Sequence, residues 1–219
     1  MLSAAKGNNT NKETKELDSI GDELRKLNVD YNKVELLDKP LTSSQIVKKI
    51  GGSDKTKGSC SSLAFAYAGN REGYDVYDFR GGASRDYFAK GDNIKKIVTK
   101  VGGTISDIKD DYLRADSLLK QVVEGKEYYF TCAKHAAIVR KTGGKYQYLE
   151  LQGTGVKNGW KELNSTVLKD RFGAKIGGDD KDFIVDIKLL TNDKYFKRVL
   201  CYLNTEKKKQ IKGIGGSIK

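Results

Sequence analysis

The sequence contains few of the residues that define several protein classes: its 219 residues include one Pro, one His and three Cys. The single Pro excludes a proline-rich scaffold, and the 24 Gly follow no triplet repeat, which excludes collagen. Three widely separated Cys do not form the dense disulfide framework of a small secreted domain, so we expect reduced thiols in a cytosolic context. One His and no closely spaced Cys pair give little support to a zinc site, and we expect no metal or organic cofactor.

Long apolar runs are also missing. No run approaches the roughly 18 residues that span a bilayer, and the N-terminal stretch MLSAAKGNNTNKETKE turns polar before the core of a signal peptide could form. We therefore expect a soluble chain with no signal peptide and no membrane partner. Hydrophobic residues make up 37% of the chain, which is enough for one ordinary core.

Charge is unbalanced, with 41 Lys and Arg against 29 Asp and Glu and a net charge of +12. Part of the excess lies in residues 205–219, which carry five Lys and one Glu. A Lys-rich terminus is usually solvated, so we predict a disordered basic tail there. The alternative is weak, non-specific nucleic-acid binding through Lys207, Lys208 and Lys209.

Composition and hydrophobic periodicity divide the chain into three parts. Residues 1–40 form a polar N-terminal extension with one amphipathic helix near residues 16–28, where Leu and Ile recur at helical spacing. Residues 41–204 carry the remaining periodic segments, and we predict that they form one domain. Residues 205–219 are the basic tail.

Helices are predicted first within the domain. In chain order, one begins at a Ser43-Ser44 cap and stops at Gly51-Gly52, one begins at Cys60 and stops at Gly69-Asn70, one passes through Ile94, Ile97 and Val98, and one runs from Leu113 to Val123. A short strand through Tyr74, Val76 and Phe79 follows the second helix.

The pattern then changes to short runs of aromatic and β-branched residues, which are typical of strands. These runs are residues 128–132, 135–140 and 146–152, with a Gly143-Gly144 turn between the last two, followed by a helix at 165–172 and strands at 183–190 and 198–203. Helices followed by a mainly antiparallel sheet predict an α+β domain.

Cys60 is the first candidate for chemistry because it lies in the first turn of a predicted buried helix. Backbone N–H groups and the helix dipole at this position favour a thiolate and lower the pKa of a thiol, and they can also stabilise an oxyanion. The only His of the chain, His135, begins a predicted strand. If that strand packs against the Cys60 helix, His135 can serve as general base and acid.

A third polar group is expected to orient the imidazole. Glu150 and Gln152 lie two residues apart on the next strand and therefore share a face. We expect Glu150 to be the orienting carboxylate. We expect Gln152 to form a hydrogen bond near the site or to take the orienting role in place of Glu150. The alternatives are that Cys60 is an ordinary buried thiol, that Glu150 is a solvated strand residue, and that Cys132 is the nucleophile, although Cys132 lies in an apolar strand.

The segment Cys60–Val76 resembles the nucleophile helix and following strand of papain-fold toxin domains, including those fused to phage minor head proteins. That group typically has a Cys, an Ala-Tyr pair seven residues on and then Arg-x-Gly-Tyr-Asp-Val. The chain matches this spacing without a gap, with Ala66-Tyr67 followed by Arg71-Glu72-Gly73-Tyr74-Asp75-Val76.

Later segments extend the resemblance over roughly residues 45–175. His135–Val139 is similar to the catalytic His strand of the family, and Glu150–Gly153 takes the place of its usual Asp-x-Gln-[Thr/Ser]-Gly segment. Asn158–Leu163 and Leu168–Gly173 also look like downstream family segments.

The resemblance implies a papain-like cysteine protease fold, in which a nucleophile helix packs on a mainly antiparallel sheet. It implies a cysteine hydrolase acting on protein amide bonds, either a peptidase or a glutamine deamidase, with Cys60 as nucleophile, His135 as base and Glu150 as third member of a triad. The chain departs from the family in having Glu150 in place of Asp and Leu63 in place of a frequent second Cys.

The resemblance further implies a bacterial or phage-encoded toxin or effector with a protein substrate and an immunity protein as partner. Such a protein would be cytoplasmic, virion-associated or delivered into a target cell. The competing hypothesis is a non-catalytic phage structural or nucleic-acid-binding protein, which predicts salt-sensitive DNA binding and no role for Cys60. A cell-wall amidase of the Cys-His type is a third alternative and would usually need export.

Overall fold

The computed structural model of the protein describes residues 20–51, 59–78, 82–153 and 157–204. The predicted basic tail, with Lys207, Lys208 and Lys209, lies outside the described residues, as does Phe79 of the predicted short strand. Within the described ranges, every helix is too short or too polar to cross a membrane.

Helices and strands alternate along much of the chain. The helices are α1 (residues 20–26), α2 (Ser43–Ile50), α3 (Cys60–Arg71), α4 (Gly82–Phe88), α5 (Gly91–Lys100), α6 (Asp111–Leu119), α7 (Ser165–Val167), a π-helix (Leu168–Phe172), α8 (Ile187–Asn192) and α9 (Phe196–Leu203). The strands are β1 (Glu35–Leu36), β2 (Tyr74–Asp75), β3 (Thr104–Ser106), β4 (Glu127–Cys132), β5 (His135–Thr142), β6 (Lys145–Glu150), β7 (Gly159–Glu162) and β8 (Asp182–Asp186).

The main sheet has six strands in the order β3-β8-β4-β5-β6-β7, and every neighbouring pair is antiparallel. Strands β4, β5 and β6 form a meander that includes the predicted β5–β6 hairpin, with Tyr129 opposite Ile138 and Ile138 opposite Leu149. Strands β1 and β2 pair separately. The prediction of helices combined with an antiparallel sheet is confirmed.

Side chains alternate between the two faces of the sheet, and each face packs against a layer of helices. Tyr129, Ile138 and Leu149 join one core cluster with the residues of α3, α5 and α9. Their strand neighbours Phe130 and Val139 join a second cluster with the residues of α6 and the π-helix. The fold is therefore a sheet between two layers of helices.

Helix α3 is central, and its residues from Ser61 to Asn70 are buried. The ring of Phe65 stacks on that of Tyr129 with centroids 4.6 Å apart, which holds the helix on the sheet. The predicted stop at Gly69-Asn70 does not end the helix, which continues to Arg71. Asn70 Nδ2 instead donates to the Ala66 carbonyl at 2.8 Å, a bond within the helix.

The start of α2 differs by one residue from the prediction. The cap is Thr42, whose side chain accepts from the Gln45 backbone N–H, while the Gln45 side chain accepts from the Thr42 backbone N–H. Ser43 is the first helical residue, and its hydroxyl lies 2.6 Å from the Tyr67 hydroxyl of α3. The capping box and this contact together fix α2 against α3.

The N-terminal described residues pack into the main core. Ile20 and Leu24 of α1 and Val34 are buried in the same cluster as α3, whereas Leu27 is half exposed. The core thus includes residues that precede position 41, where the sequence analysis placed the start of the domain.

The C-terminal segments differ most from the prediction. The predicted strand 183–190 ends at Asp186, whose side chain accepts from the Lys188 backbone N–H and caps α8. The predicted strand 198–203 is wrong, because these residues belong to helix α9. Phe196, Val199, Leu200 and Leu203 recur at helical spacing and are buried together, and a short apolar run alone does not separate a strand from a buried helix.

Candidate functional site

Cys60 is the first residue of α3, as the sequence predicts. The preceding residue, Ser59, makes no side-chain cap bond to the helix, but its hydroxyl accepts a hydrogen bond from Gln152 Nε2 at 2.7 Å. Gln152 follows β6, so the end of this strand is tied to the start of the helix. The predicted site residue Gln152 therefore supports the position of Cys60.

A cavity of about 540 Å³ opens beside the start of α3. Cys60 and Ser61 line it from the helix, and His135 and Ala136 line it from β5. Apolar parts of its wall come from Phe88, Ile94, Tyr129 and Phe183. The cavity is the feature that brings the predicted nucleophile and the predicted base to one place.

Exposed charged side chains of both signs also line this cavity. They are Asp92, Lys134, Asp180 and Lys181. Because the signs are mixed, the lining favours neither an anionic nor a cationic substrate.

The pKa of the Cys60 thiol is raised above its ordinary value. Burial raises its pKa and is the largest influence, although the backbone N–H groups of Ala136 and Ser61 and the charge of Arg171 act in the opposite direction. Its position at the start of a helix predicts a lowered pKa for this thiol. The structure gives the opposite direction, because the desolvation of a thiolate here outweighs the helix N–H groups.

His135 is the first residue of β5. Its pKa is lowered to about 3, mainly by burial and also by the nearby charge of Arg171, and Glu150 only partly offsets these effects. The imidazole packs edge-on against Phe172, with ring centroids 4.9 Å apart. Burial thus disfavours the charged form of both the imidazole and the Cys60 thiol.

The two side chains approach the cavity from different sides of the sheet. His135 alternates with Ala136 along β5, and its contact with Phe172 places it on the face of the second core cluster, whereas α3 covers the other face. Among the described residues, no hydrogen bond joins Cys60 Sγ to the imidazole. Both residues nevertheless line the cavity beside the start of α3 and the start of β5.

Glu150, the predicted orienting carboxylate, is 1% exposed and makes a two-point ion pair with Arg171. Arg171 Nε donates to Oε2 at 2.6 Å and Nη2 donates to Oε1 at 2.9 Å, while the Gln152 backbone N–H donates to Oε1 at 2.8 Å. Burial would raise the pKa of Glu150, but the bonds and charge of Arg171 lower it overall. Glu150 is thus a carboxylate paired with Arg171.

Arg171 and Phe172 were not selected from the sequence, although the segment Leu168–Gly173 was part of the resemblance. Both lie in the π-helix, whose turn is wider than that of an α-helix. This turn places two consecutive residues at the site: Arg171 contacts Glu150, and Phe172 contacts His135. A helical residue count of 3.6 per turn gives no signal for this arrangement.

The other two thiols are buried elsewhere, Cys132 in β4 and Cys201 in α9, and all three Cys are free. Burial raises the pKa of Cys132 above its ordinary value. Within the described ranges, no group of three His, Cys, Asp or Glu side chains is placed to hold a metal ion.

No protein-family model, curated protein or solved structure matches the chain.

Proposed function

We propose that the protein is a papain-like cysteine hydrolase that acts on protein amide bonds, with Cys60 as nucleophile and His135 as base. The observation that carries this proposal is that Cys60, at the start of a buried helix, and His135 line one cavity. A thiol nucleophile and an imidazole base that line the same cavity are the two side chains that acyl transfer by a cysteine hydrolase requires.

The papain-like assignment of the fold is also a proposal. What supports it is a buried nucleophile helix packed on an antiparallel sheet that carries the His on an adjacent strand. The resemblance of Cys60–Val76 to papain-fold toxin domains supports a role as a bacterial or phage toxin or effector.

The reaction begins from uncharged groups. The Sγ–H proton of Cys60 passes to the imidazole of His135 as sulfur bonds to the amide carbonyl carbon, and backbone N–H groups at the start of α3 stabilise the oxyanion. The imidazolium then protonates the leaving nitrogen as the C–N bond breaks, which leaves a thioester on Cys60. Water, deprotonated by His135, cleaves the thioester and restores the thiol.

Acyl-enzyme trapping tests this proposal. After incubation with p-nitrophenyl acetate at neutral pH, peptide mapping by mass spectrometry should find the acetyl group on Cys60 and not on the buried Cys132 or Cys201. His135→Ala should slow acetylation by about 10²-fold or more, because the base is lost. Arg140→Ala, on the same strand, is the control and should acetylate like the wild type. Equal rates of Cys60 acetylation in the wild type and His135→Ala would contradict the proposal.

A library of Gln-containing peptides then separates the two activities. Cleaved peptides would identify a peptidase, and a mass gain with ammonia release would identify a deamidase. Cys60→Ala should remove either product.

A further inference from the structure

Glu150 has both carboxylate oxygens occupied. Oε2 accepts from Arg171 at 2.6 Å, and Oε1 accepts from Arg171 at 2.9 Å and from the Gln152 backbone N–H at 2.8 Å. The carboxylate is almost fully buried, so these partners replace water as its hydrogen-bond donors. Among the described residues, no hydrogen bond joins this carboxylate to the imidazole of His135, so Arg171 and the Gln152 backbone set its orientation.

The π-helix that supplies Arg171 also holds His135. Phe172, the next residue, packs its ring against the imidazole, and its carbonyl accepts from the Lys134 backbone N–H at 3.0 Å. The residue before His135 and the His135 ring are thus both fixed by one residue of the π-helix. Arg171 is placed beside the same site because it precedes Phe172.

We propose that Arg171 is a positioning residue of the site: by holding Glu150 in a two-point ion pair it keeps His135 uncharged beside Cys60. The inference rests on the proposed function, because it describes how the base of that reaction is set. Arg171 then offsets the charge of Glu150 at the imidazole, and the simple Cys-His-Glu triad of the sequence analysis becomes a Cys-His pair with an Arg-Glu support.

The charged and titratable groups around His135 come from several elements. They are Arg171 on the π-helix, Glu150 and Tyr148 on β6, Cys60 on α3 and Lys134 in the β4–β5 turn. Asp182 of β8 reaches the same turn, where Oδ1 accepts from the Ala133 backbone N–H at 3.0 Å. Arg171 and Glu150 are the groups whose charges act on the imidazole.

The experiment is a pH titration of the imidazole by NMR, which is unambiguous because the chain has one His. In the wild type the imidazole should titrate near pH 3, far below an ordinary His. In Arg171→Gln the cation is lost and Glu150 is exposed to the ring, so the pKa of His135 should rise by about 1–3. In Glu150→Gln, Arg171 remains and the pKa should stay at or below the wild-type value.

Three further variants complete the design. Arg171→Lys keeps the positive charge and should leave the imidazole titrating below pH 5. The double variant Arg171→Gln/Glu150→Gln removes both charges and should titrate between the wild type and Arg171→Gln. Arg140→Gln replaces an Arg on the same sheet that donates to Gln147 at 2.8 Å, and it should match the wild type. Dispersed amide resonances must show that each variant is folded.

Two results would overturn the inference. One is a wild-type imidazole that titrates near its ordinary pH, and the other is a folded Arg171→Gln variant with an unchanged His135 pKa. The titration needs no turnover, so it is independent of the hydrolase proposal. If the imidazole titrates as expected but Cys60 is not acetylated, the hydrolase proposal fails and the role of Arg171 in setting His135 stands.

Discussion

Three charged side chains, Asp111, Arg114 and Asp182, are fully buried beside the candidate site. Arg114 forms ion pairs with Asp111 and Asp182, the latter at 2.7 Å, and it also donates to the Gly178 carbonyl at 2.8 Å. Two carboxylates share one guanidinium, so one negative charge is imperfectly compensated. Burial is the largest influence on Asp182 and raises its pKa to about 6, because Arg114 offsets the desolvation only in part.

The raised pKa of Asp182 predicts that the stability of the folded protein depends on pH. The folded protein binds the proton more tightly than the unfolded chain, so ionisation of Asp182 lowers the free energy of unfolding as the pH rises from about 4 to above 6. The effect is up to about 3 kcal/mol. Asp182→Asn removes the titratable carboxyl, and with it the loss of stability that its ionisation causes at high pH. The stability advantage of the wild type over the variant should therefore shrink by this amount between pH 4 and pH 7.5.

Urea unfolding at the two pH values measures this difference. Asp116→Asn is the control, because Asp116 forms an exposed ion pair with Lys120. A wild-type advantage that is constant with pH, or that grows as pH rises, would contradict the raised pKa of Asp182.

Also at the scale of residues, the strongest motif of the resemblance proves to be structural in part. The Tyr67 hydroxyl donates to Glu127 of β4 at 3.0 Å, and Arg71 Nε donates to the same carboxylate oxygen at 3.0 Å. Asp75 forms an ion pair with Lys49 of α2. Tyr67 and Arg71 thus fix α3 against β4, and Asp75 fixes the following strand β2 against α2. Cys60 lies at the opposite end of α3.

At the scale of elements, Gly69 of α3 closely approaches α9 and the residue that follows β2. A Cβ atom there would lie 2.9 Å from Leu200 Cδ1 and 3.0 Å from Val76 Cγ2, and both neighbours are fully buried. The absence of a side chain at Gly69 therefore allows the close packing of α3 on its neighbours. Gly69 has this packing role inside the helix, and so the helix does not end there.

Gly69→Ala should destabilise the protein by about 1–3 kcal/mol, because overpacking outweighs the better helix propensity of Ala. Gly91→Ala is the matched control, since Gly91 begins α5 and a Cβ there has no heavy atom within 4 Å. It should be neutral or stabilising by up to about 1 kcal/mol. Urea unfolding of both variants measures the difference, and equal changes at the two positions would contradict the close approach of α3 and α9.

The elements that the sequence predicts are those with a clear local signal. The β5–β6 hairpin has alternating residues and a Gly143-Gly144 turn, and α3 has an apolar face with Cys60 at its start. The strand β3 has three residues, too few for a recognisable period. The segment around Leu200 was predicted as a strand from its short apolar run, although Phe196, Val199, Leu200 and Leu203 recur at helical spacing.

At the scale of the whole molecule, the position of the site follows from the layers. Helix α3 covers one face of the sheet, the π-helix covers the other, and the cavity lies where the start of α3 passes the start of β5. The sequence predicts Cys60 and His135 as partners because each begins its own element. It does not predict the Arg171–Glu150 pair, since no local pattern relates a residue of an irregular helix to a strand end.

The most direct test of this account is the pH dependence of Cys60 acetylation by p-nitrophenyl acetate between pH 5 and 8. A neutral thiol with a neutral base reacts at a rate that does not change with pH over this range, because the pKa of His135 lies near 3 and burial raises that of Cys60. Free thiolate attack instead rises about tenfold per pH unit. We predict a flat profile for the wild type and a rising profile for His135→Ala. Profiles that rise in parallel would show that His135 does not activate Cys60 and would favour a non-catalytic protein.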